Sequence, residues 1–258
     1  MSLDNFEEYA EPVLYDKENE HYQEDVAFLR RWANGVSGPI IDLACGTGRA
    51  TIPLAIEGHE LIGVDIHKGM LEEAKRKSAQ FPITVRWVEQ DCTDLKLNVS
   101  SKMIFCVGNS FQHFLTNEEQ DGLLHSVNRH LVDGGMFIFG TRFPNSEELL
   151  QPSTKEYWKT YEDKEGNSQV DVYTISSYNS LNQIQHYTTI REFLNHEREI
   201  MKETRSNIKL RYVYPKEMER LLKTHGFEII NVFGGWDESP VTNLSSQMIY
   251  VCRKGVPF

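Results

Sequence analysis

Residues 40–49 read Ile-Ile-Asp-Leu-Ala-Cys-Gly-Thr-Gly-Arg: an apolar run holding one acidic residue, a tight turn with two glycines, and a helix start. This layout predicts a sheet strand whose carboxyl end brings backbone N–H groups and a carboxylate to one place, where a nucleotide-like ligand can sit. Gly46 and Gly48 suit the positive φ of such a turn and let a ligand approach the main chain.

The same period recurs downstream. Strands are expected at 60–65, 83–89, 102–107 and 136–141, with helices at 49–57 and 67–79 between them. Thr116-Asn117-Glu118-Glu119 forms a capping box opening a further helix, whose inner face is Leu123, Leu124, Val127 and Leu131. Asp133-Gly134-Gly135 then turns the chain into the fifth strand. Strands alternating with helices at this spacing mean a parallel sheet with right-handed crossovers. Upstream, 20–33 reads as a helix with Tyr22, Val26, Leu29 and Trp32 near one face, and 39–44 as the first strand.

Beyond residue 146 the period changes. Segments 170–178, 183–194 and 198–214 alternate or are rich in Tyr, Thr, Ile and Val, which predicts an antiparallel β insertion. Pro215 fits the first position of another helix and Gly226 the position after its end. Segments 228–233 and 247–253 follow as a closing hairpin. The expected fold is α/β, a Rossmann-like seven-stranded sheet. Residues 1–146 form an N-terminal segment and core, 147–214 the insertion, and 215–258 the helix and hairpin that complete the core.

Charge and cysteine usage narrow the function classes. With 38 Asp and Glu against 27 Lys and Arg, the formal charge of −11 opposes a broad nucleic-acid or anionic-membrane footprint. Cys45, Cys92, Cys106 and Cys252 form no C-x-x-C, so they indicate neither a zinc site nor a disulfide framework and read as small buried hydrophobes. The acidic N-terminus has no apolar leader, and no run of about 20 apolar residues occurs, so a soluble cytoplasmic protein is expected.

Asp65 ends the second strand, where a carboxylate can accept both hydroxyls of a ribose, each charge-assisted bond contributing roughly 1.5–3 kcal/mol. Nicotinamide and S-adenosylmethionine enzymes both use this geometry. A dinucleotide fingerprint wants a third glycine or an alanine where this chain has Thr51. Asp42, just before the turn, would repel a pyrophosphate and suits a ligand with an ammonium group; S-adenosylmethionine carries an ammonium and a sulfonium. The plainer reading of Asp42 is a loop stabiliser bonded to backbone. Asp91, after the third strand, can accept from an adenine amino group while a neighbouring N–H donates to the ring; alone it reads as a turn or cap residue.

On these residues the chain resembles class I S-adenosylmethionine-dependent methyltransferases. The likeness is carried by 41–48, Gly63-Val64-Asp65 with Met70-Leu71, Gln90-Asp91, and 131–139. Ala44 stands where the family often has glycine. Cys106-Val107-Gly108-Asn109-Ser110-Phe111-Gln112-His113, the β insertion and Arg211-Tyr212-Val213-Tyr214-Pro215 are similar to glycine N-methyltransferases, and sugar-amine N-methyltransferases share parts of the plan.

The resemblance implies S-adenosylmethionine as methyl donor, held by Tyr22, Asp42, Ala44, Gly46, Gly48, Asp65, Ile66, Asp91, Cys92 and Val107. It places Asn109 against the acceptor and His113 near the donor's methionine end or the substrate, where it can take a proton. Tyr15 belongs to an N-terminal segment that folds over the donor. The plainer readings are a backbone-bonded helix-start residue for His113 and packing residues for Tyr15 and Tyr22. Arg49 reads as a solvated charge. Arg142 and Arg191 can pair with a substrate carboxylate, or be ordinary surface ion pairs. The insertion would roof the acceptor pocket, with Tyr157, Trp158, Tyr161 and Tyr173 excluding water or forming its own small core.

The expected reaction is methyl transfer to a small-molecule acceptor, an amine nitrogen, with O- or carboxyl methylation and non-catalytic S-adenosylmethionine binding as alternatives. Asp42 and Thr51 oppose a nicotinamide-dependent oxidoreductase. The Asn-Ser pair is not the Asn-Pro-Pro-Tyr of DNA amino-methylating enzymes, so neither nucleic acid nor membrane is an expected partner. No metal is expected. The exposed insertion is a candidate interface for a homo-oligomer.

Overall fold

The computed structural model describes residues 3–19, 21–163 and 168–255. Its core strands are β1 (Ile40–Leu43), β2 (Leu61–Asp65), β3 (Val85–Glu89), β4 (Ser101–Cys106) and β5 (Leu131–Arg142). The insertion supplies β6 (Glu156–Asp163), β7 (Ser168–Asn179), β8 (Ile184–Leu194) and β9 (Ile200–Arg211), and the chain closes with β10 (Phe227–Phe233) and β11 (Gln247–Lys254). The core sheet has the order β3-β2-β1-β4-β5-β11-β10, with β1–β5 parallel and β11 antiparallel to β5 and β10. The seven-stranded sheet and closing hairpin are those expected.

Alternate residues of each strand feed opposite faces, so the sheet builds two cores. Ile41, Leu43, Ile104 and Cys106 face one layer with Leu123 and Leu124, where the rings of Phe111, Phe139 and Tyr250 stack. Ile40, Met103, Phe105 and Ile138 face the other with Val26, Phe28 and Leu29. All four residues of β1 are buried, as a central strand covered on both sides requires. The four cysteines are free and buried.

The helices are α1 (Pro12–Asn19), α2 (Glu24–Ala33), α3 (Thr51–Ile56), α4 (Lys68–Ser78), α5 (Asn117–His130), α6 (Ser146–Leu149) and α7 (Pro215–Thr224). The α5 capping box forms: Thr116 Oγ1 accepts the Glu119 N–H at 3.1 Å, and Glu119 accepts the Thr116 N–H at 3.1 Å. Among the described residues no helix is long and apolar enough to cross a membrane.

Four expectations need correction. The helix expected from residue 20, itself outside the described residues, begins at Glu24. Ahead of it lie a 3-10 segment, Leu3–Tyr9, and α1, which apolar periodicity did not reveal because polar contacts hold them. The turn at Asp133-Gly134-Gly135 is absorbed into β5 as a bulge, Leu131 pairing with Ser101 and Met136 with Met103. The insertion has four antiparallel strands, not three, in the order β6-β7-β8-β9. Edge strand β6 escaped notice because its charged, mostly exposed residues carry a bulge between Tyr157 and Lys159 that breaks the alternation.

Candidate active site

The β1 end bends sharply. Ala44 has φ 54°, Gly46 φ 56° and Gly48 φ 80°, so three of five residues lie in the left-handed region. A side chain on Gly48 would come within 2.7 Å of the Trp87 ring, so this glycine also makes room for a neighbouring indole, beyond the ligand approach expected of it.

Asp65 ties the β2 end to this loop. Its Oδ2 accepts the Gly46 N–H at 2.8 Å and its Oδ1 the His67 N–H at 2.8 Å, leaving each oxygen a further lone pair. Burial raises its pKa against the pull of these amides. Ile66, next in the chain, is half-buried.

Asp42 is 1 % exposed. Its Oδ2 accepts the Thr51 hydroxyl at 2.6 Å, while its Oδ1 has no partner among the described residues. Burial pushes this carboxyl up to about 8. Backbone bonds are therefore not what holds Asp42. Asp91 Oδ1 accepts the Thr93 N–H at 2.8 Å and the Thr93 hydroxyl at 2.9 Å, so it does cap the turn after β3. Cys92, in the 3-10 turn after β3, and Val107, just after β4, are both buried.

The N-terminal segment lies across this end of the sheet. The Asp16 carboxylate accepts from the Thr47 hydroxyl and pairs with Lys77 at 2.6 Å. The Phe6 ring meets His67 edge-on at 5.1 Å. The other side of the segment is latched to the insertion. Arg191, 4 % exposed, holds Glu18 at 2.7 and 2.9 Å, Glu8 at 2.8 Å and the Ser206 hydroxyl at 2.7 Å. Arg191 is thus a buried clamp, neither a surface ion pair nor free for a substrate carboxylate. Arg49 is not a solvated charge either: it grips buried Asp25 at 2.7 and 2.5 Å and the Tyr22 carbonyl at 2.7 Å.

After β4 the chain takes two successive left-handed residues, Gly108 at φ 71° and Asn109 at φ 59°, and enters the 3-10 turn Ser110–His113. Between this turn, the N-terminal segment and the insertion lies a cavity of about 420 Å³, lined by Tyr15, Asn109, His113, Arg142, Trp158 and others. A second cavity of about 350 Å³ shares Tyr15, Asn109 and Trp158 and extends to Tyr22 and Arg49. The structure therefore brings Tyr15, Tyr22, Asn109 and His113 to one place.

His113 does not fit the role of proton acceptor. The Asn5 amide is fixed by the Lys209 main chain, donating to its carbonyl and accepting its N–H, both at 2.8 Å. The same Asn5 nitrogen donates to His113 Nδ1 at 2.8 Å, so the neutral ring carries its proton on Nε2 and donates it to the Tyr9 hydroxyl at 2.9 Å. Burial pushes the imidazole down to about 3. Both nitrogens are committed to side chains, which also corrects the reading of a backbone-bonded residue.

Arg142 is no surface ion pair. One nitrogen, Nη1, meets Glu148 at 2.7 Å and the Tyr187 hydroxyl at 3.1 Å. The same Glu148 oxygen accepts the hydroxyls of Tyr187 at 2.9 Å and Tyr212 at 2.5 Å. The other guanidinium nitrogens have no protein partner among the described residues. Of the four insertion aromatics singled out in the sequence, Trp158 lines both cavities, whereas Tyr157 and Tyr173 contact each other at 5.9 Å on the opposite face. Asn5, Glu8, Tyr9, Glu148 and Tyr187 escaped the sequence reading; they follow no period and no motif, and only the fold assembles them.

Residues 40–135 match the profile of the methyltransferase domain family. A carboxy-S-adenosyl-L-methionine synthase of Nautilia profundicola is 26 % identical over 62 % of this chain and 67 % of its own length. The chain spans 56–67 % of the length of the curated relatives it matches first. The CcbJ methyltransferase from Streptomyces caelestis superposes with a TM-score of 0.83 at 22 % identity, covering 96 % of this chain and 98 % of that one. CalS10, an amino pentose methyltransferase from Micromonospora echinaspora solved with S-adenosylmethionine, gives 0.74 at 17 % identity over 94 % and 95 %. At these identities the likeness shows the fold, that of class I S-adenosylmethionine-dependent methyltransferases.

Proposed function

We propose that this methyltransferase-fold chain moves a methyl group from S-adenosylmethionine to the nitrogen of a small amine, as do the glycine and sugar-amine N-methyltransferases its sequence resembles. S-adenosylmethionine supplies a methyl group already activated on a sulfonium, so the chain's own residues need mainly to position and align. The donor-side residues suit that ligand. Asp42 offers a buried carboxyl oxygen with no partner among the described residues, which an ammonium would draw into its ionised form on binding. Asp65 keeps lone pairs for ribose hydroxyls beside its two backbone bonds.

The observation that carries the choice of nitrogen is the lack, among the described residues, of a free base on the acceptor cavity wall. His113 is neutral with both nitrogens bonded, Glu148 is consumed by Arg142 and two tyrosines, and Glu8 and Glu18 are consumed by Arg191. Burial pushes the hydroxyls of Tyr15 and Tyr187 up to about 12, so neither accepts a proton at neutral pH. A hydroxyl acceptor needs a base in the transition state; an amine is nucleophilic once its ammonium proton has left to water. The nitrogen–methyl bond then forms as the sulfur–methyl bond breaks. The unpartnered edge of Arg142 can hold an anionic group of the acceptor.

The test is the pH–rate profile at saturating donor. The acidic limb should track the ammonium pKa of whichever amine is supplied and persist in His113→Gln. A limb that stays fixed near pH 6–7 for every acceptor and vanishes in that variant would make His113 the base and refute this reading.

A further inference from the structure

We infer that Trp158 is a stacking platform that selects acceptors carrying a ring with an apolar face over acyclic amines; this rests on the methyl-transfer reading above and narrows its substrate class. Tyr157 pairs with Tyr173 and Lys159 with Val172, so Trp158 is the extra residue of a bulge and has no cross-strand partner. Such bulges re-aim side chains beside sites. Here the bulge turns both Trp158 and Lys159 toward the same opening, since both line the smaller cavity. Trp158 lines the larger one too and keeps 52 % of its surface exposed, unusual for a side chain whose burial would be favourable.

One ring face is already taken. Lys159 Nζ lies 4.2 Å from the indole centroid and is held there by donating to the Glu18 carbonyl at 3.0 Å. A cation fixed on one face draws π density toward itself, which weakens the other face for a second cation. A neutral ring loses nothing by this and gains offset stacking and apolar contact. The free face therefore suits the body of the acceptor, not its ammonium. An acyclic amine such as glycine has no ring to lay there. The shared chemistry is an apolar ring face, planar in an aromatic ring and made of C–H groups in a sugar.

The experiment titrates tyramine, glucosamine and glycine calorimetrically into the full chain with S-adenosylhomocysteine present, and assays the same amines for methyl transfer. Wild type, Trp158→Phe and Trp158→Ala are compared. At least one ring amine should bind wild type about tenfold or more tightly than glycine, Trp158→Ala should lose about tenfold for that ring amine only, and Trp158→Phe should stay within about threefold. In turnover the loss should appear in KM, with kcat little changed. Which ring amine responds identifies aromatic or sugar chemistry. Equal affinity for ring amines and glycine, or a Trp158→Ala variant that binds the ring amine as wild type does, overturns the platform. Trp158-dependent ring binding without methylation would keep the platform and reject the methyl-transfer reading; glycine methylation indifferent to Trp158 would do the reverse. The side chain is exposed, so an unchanged Tm should accompany both variants.

Discussion

Asp42→Asn should raise stability and lower donor affinity together. The native carboxyl is pushed up to about 8 from an ordinary 3.8 by burial. At pH 7 the folded protein keeps it protonated while the unfolded chain ionises it. Stability from this group is therefore full below about pH 4 and is lost as pH rises toward 8. At about 1.36 kcal/mol per pKa unit, the penalty at pH 7 has a ceiling of about 4 kcal/mol. Asparagine removes the penalty. Its Oδ1 can still accept the Thr51 hydroxyl, but its NH2 brings two N–H donors where the protonated acid has one O–H, and an unmet buried donor costs about 1–3 kcal/mol, so the gain stays below that ceiling. With an unfolding entropy of about 0.5 kcal/mol/K for 258 residues, a gain of about 1–3 kcal/mol is a Tm rise of about 2–6 °C. The rise should shrink at pH 5, where the wild-type penalty is smaller. The ammonium of S-adenosylmethionine meanwhile loses a charge-assisted partner worth about 1.5–3 kcal/mol, a tenfold to hundredfold weaker Kd. Differential scanning calorimetry and titration calorimetry at pH 5, 7 and 8 read both effects. A variant that binds the donor as wild type does, or is no more stable at pH 7, refutes the reasoning.

Substitutions at three other positions probe the same end of the sheet. Asp65→Ala removes the acceptor of two backbone N–H groups and of the proposed ribose bonds; donor affinity should fall by roughly 2 kcal/mol or more, and thermal melting should show a further loss of about 1–3 kcal/mol in stability. Ala44→Gly relieves a left-handed strain of about 1–2 kcal/mol and loses somewhat less to unfolded-chain entropy, so urea titration should show stability unchanged or raised by up to about 1 kcal/mol, whereas Ala44→Val should be clearly destabilised. Asn109→Gly keeps the φ of 59° without strain and deletes the side chain; turnover should drop with donor affinity nearly intact, and a collapse of donor binding in titration would place Asn109 on the donor side.

The core fold was legible because its signals are local. The apolar runs, the capping box at Thr116 and the glycine turn each act within a few residues, and the sheet topology follows from their alternation. Asp42 and Asp65 could be singled out for the same reason, since strand ends of such a sheet converge. The acceptor side was legible only in part. His113 lines a cavity with Tyr15 and Asn109, but its chemistry is set by Asn5, an amide more than a hundred residues away fixed by the main chain of β9. Arg142 and Arg191 look alike in sequence; one keeps a free edge in the cavity and the other is consumed by Glu8 and Glu18, both from a segment with no apolar period. Edge strand β6 was missed because its bulge, the feature that aims Trp158, destroys the alternation by which strands are read.

The most direct measurement is methyl transfer itself: purified protein with S-adenosylmethionine and a panel of amines and matched alcohols, followed by S-adenosylhomocysteine release. S-adenosylhomocysteine formed with an amine, and not with the alcohol of the same skeleton, is the predicted result. Turnover of the alcohols alone, or no S-adenosylhomocysteine from a folded protein that binds S-adenosylmethionine, would contradict the account.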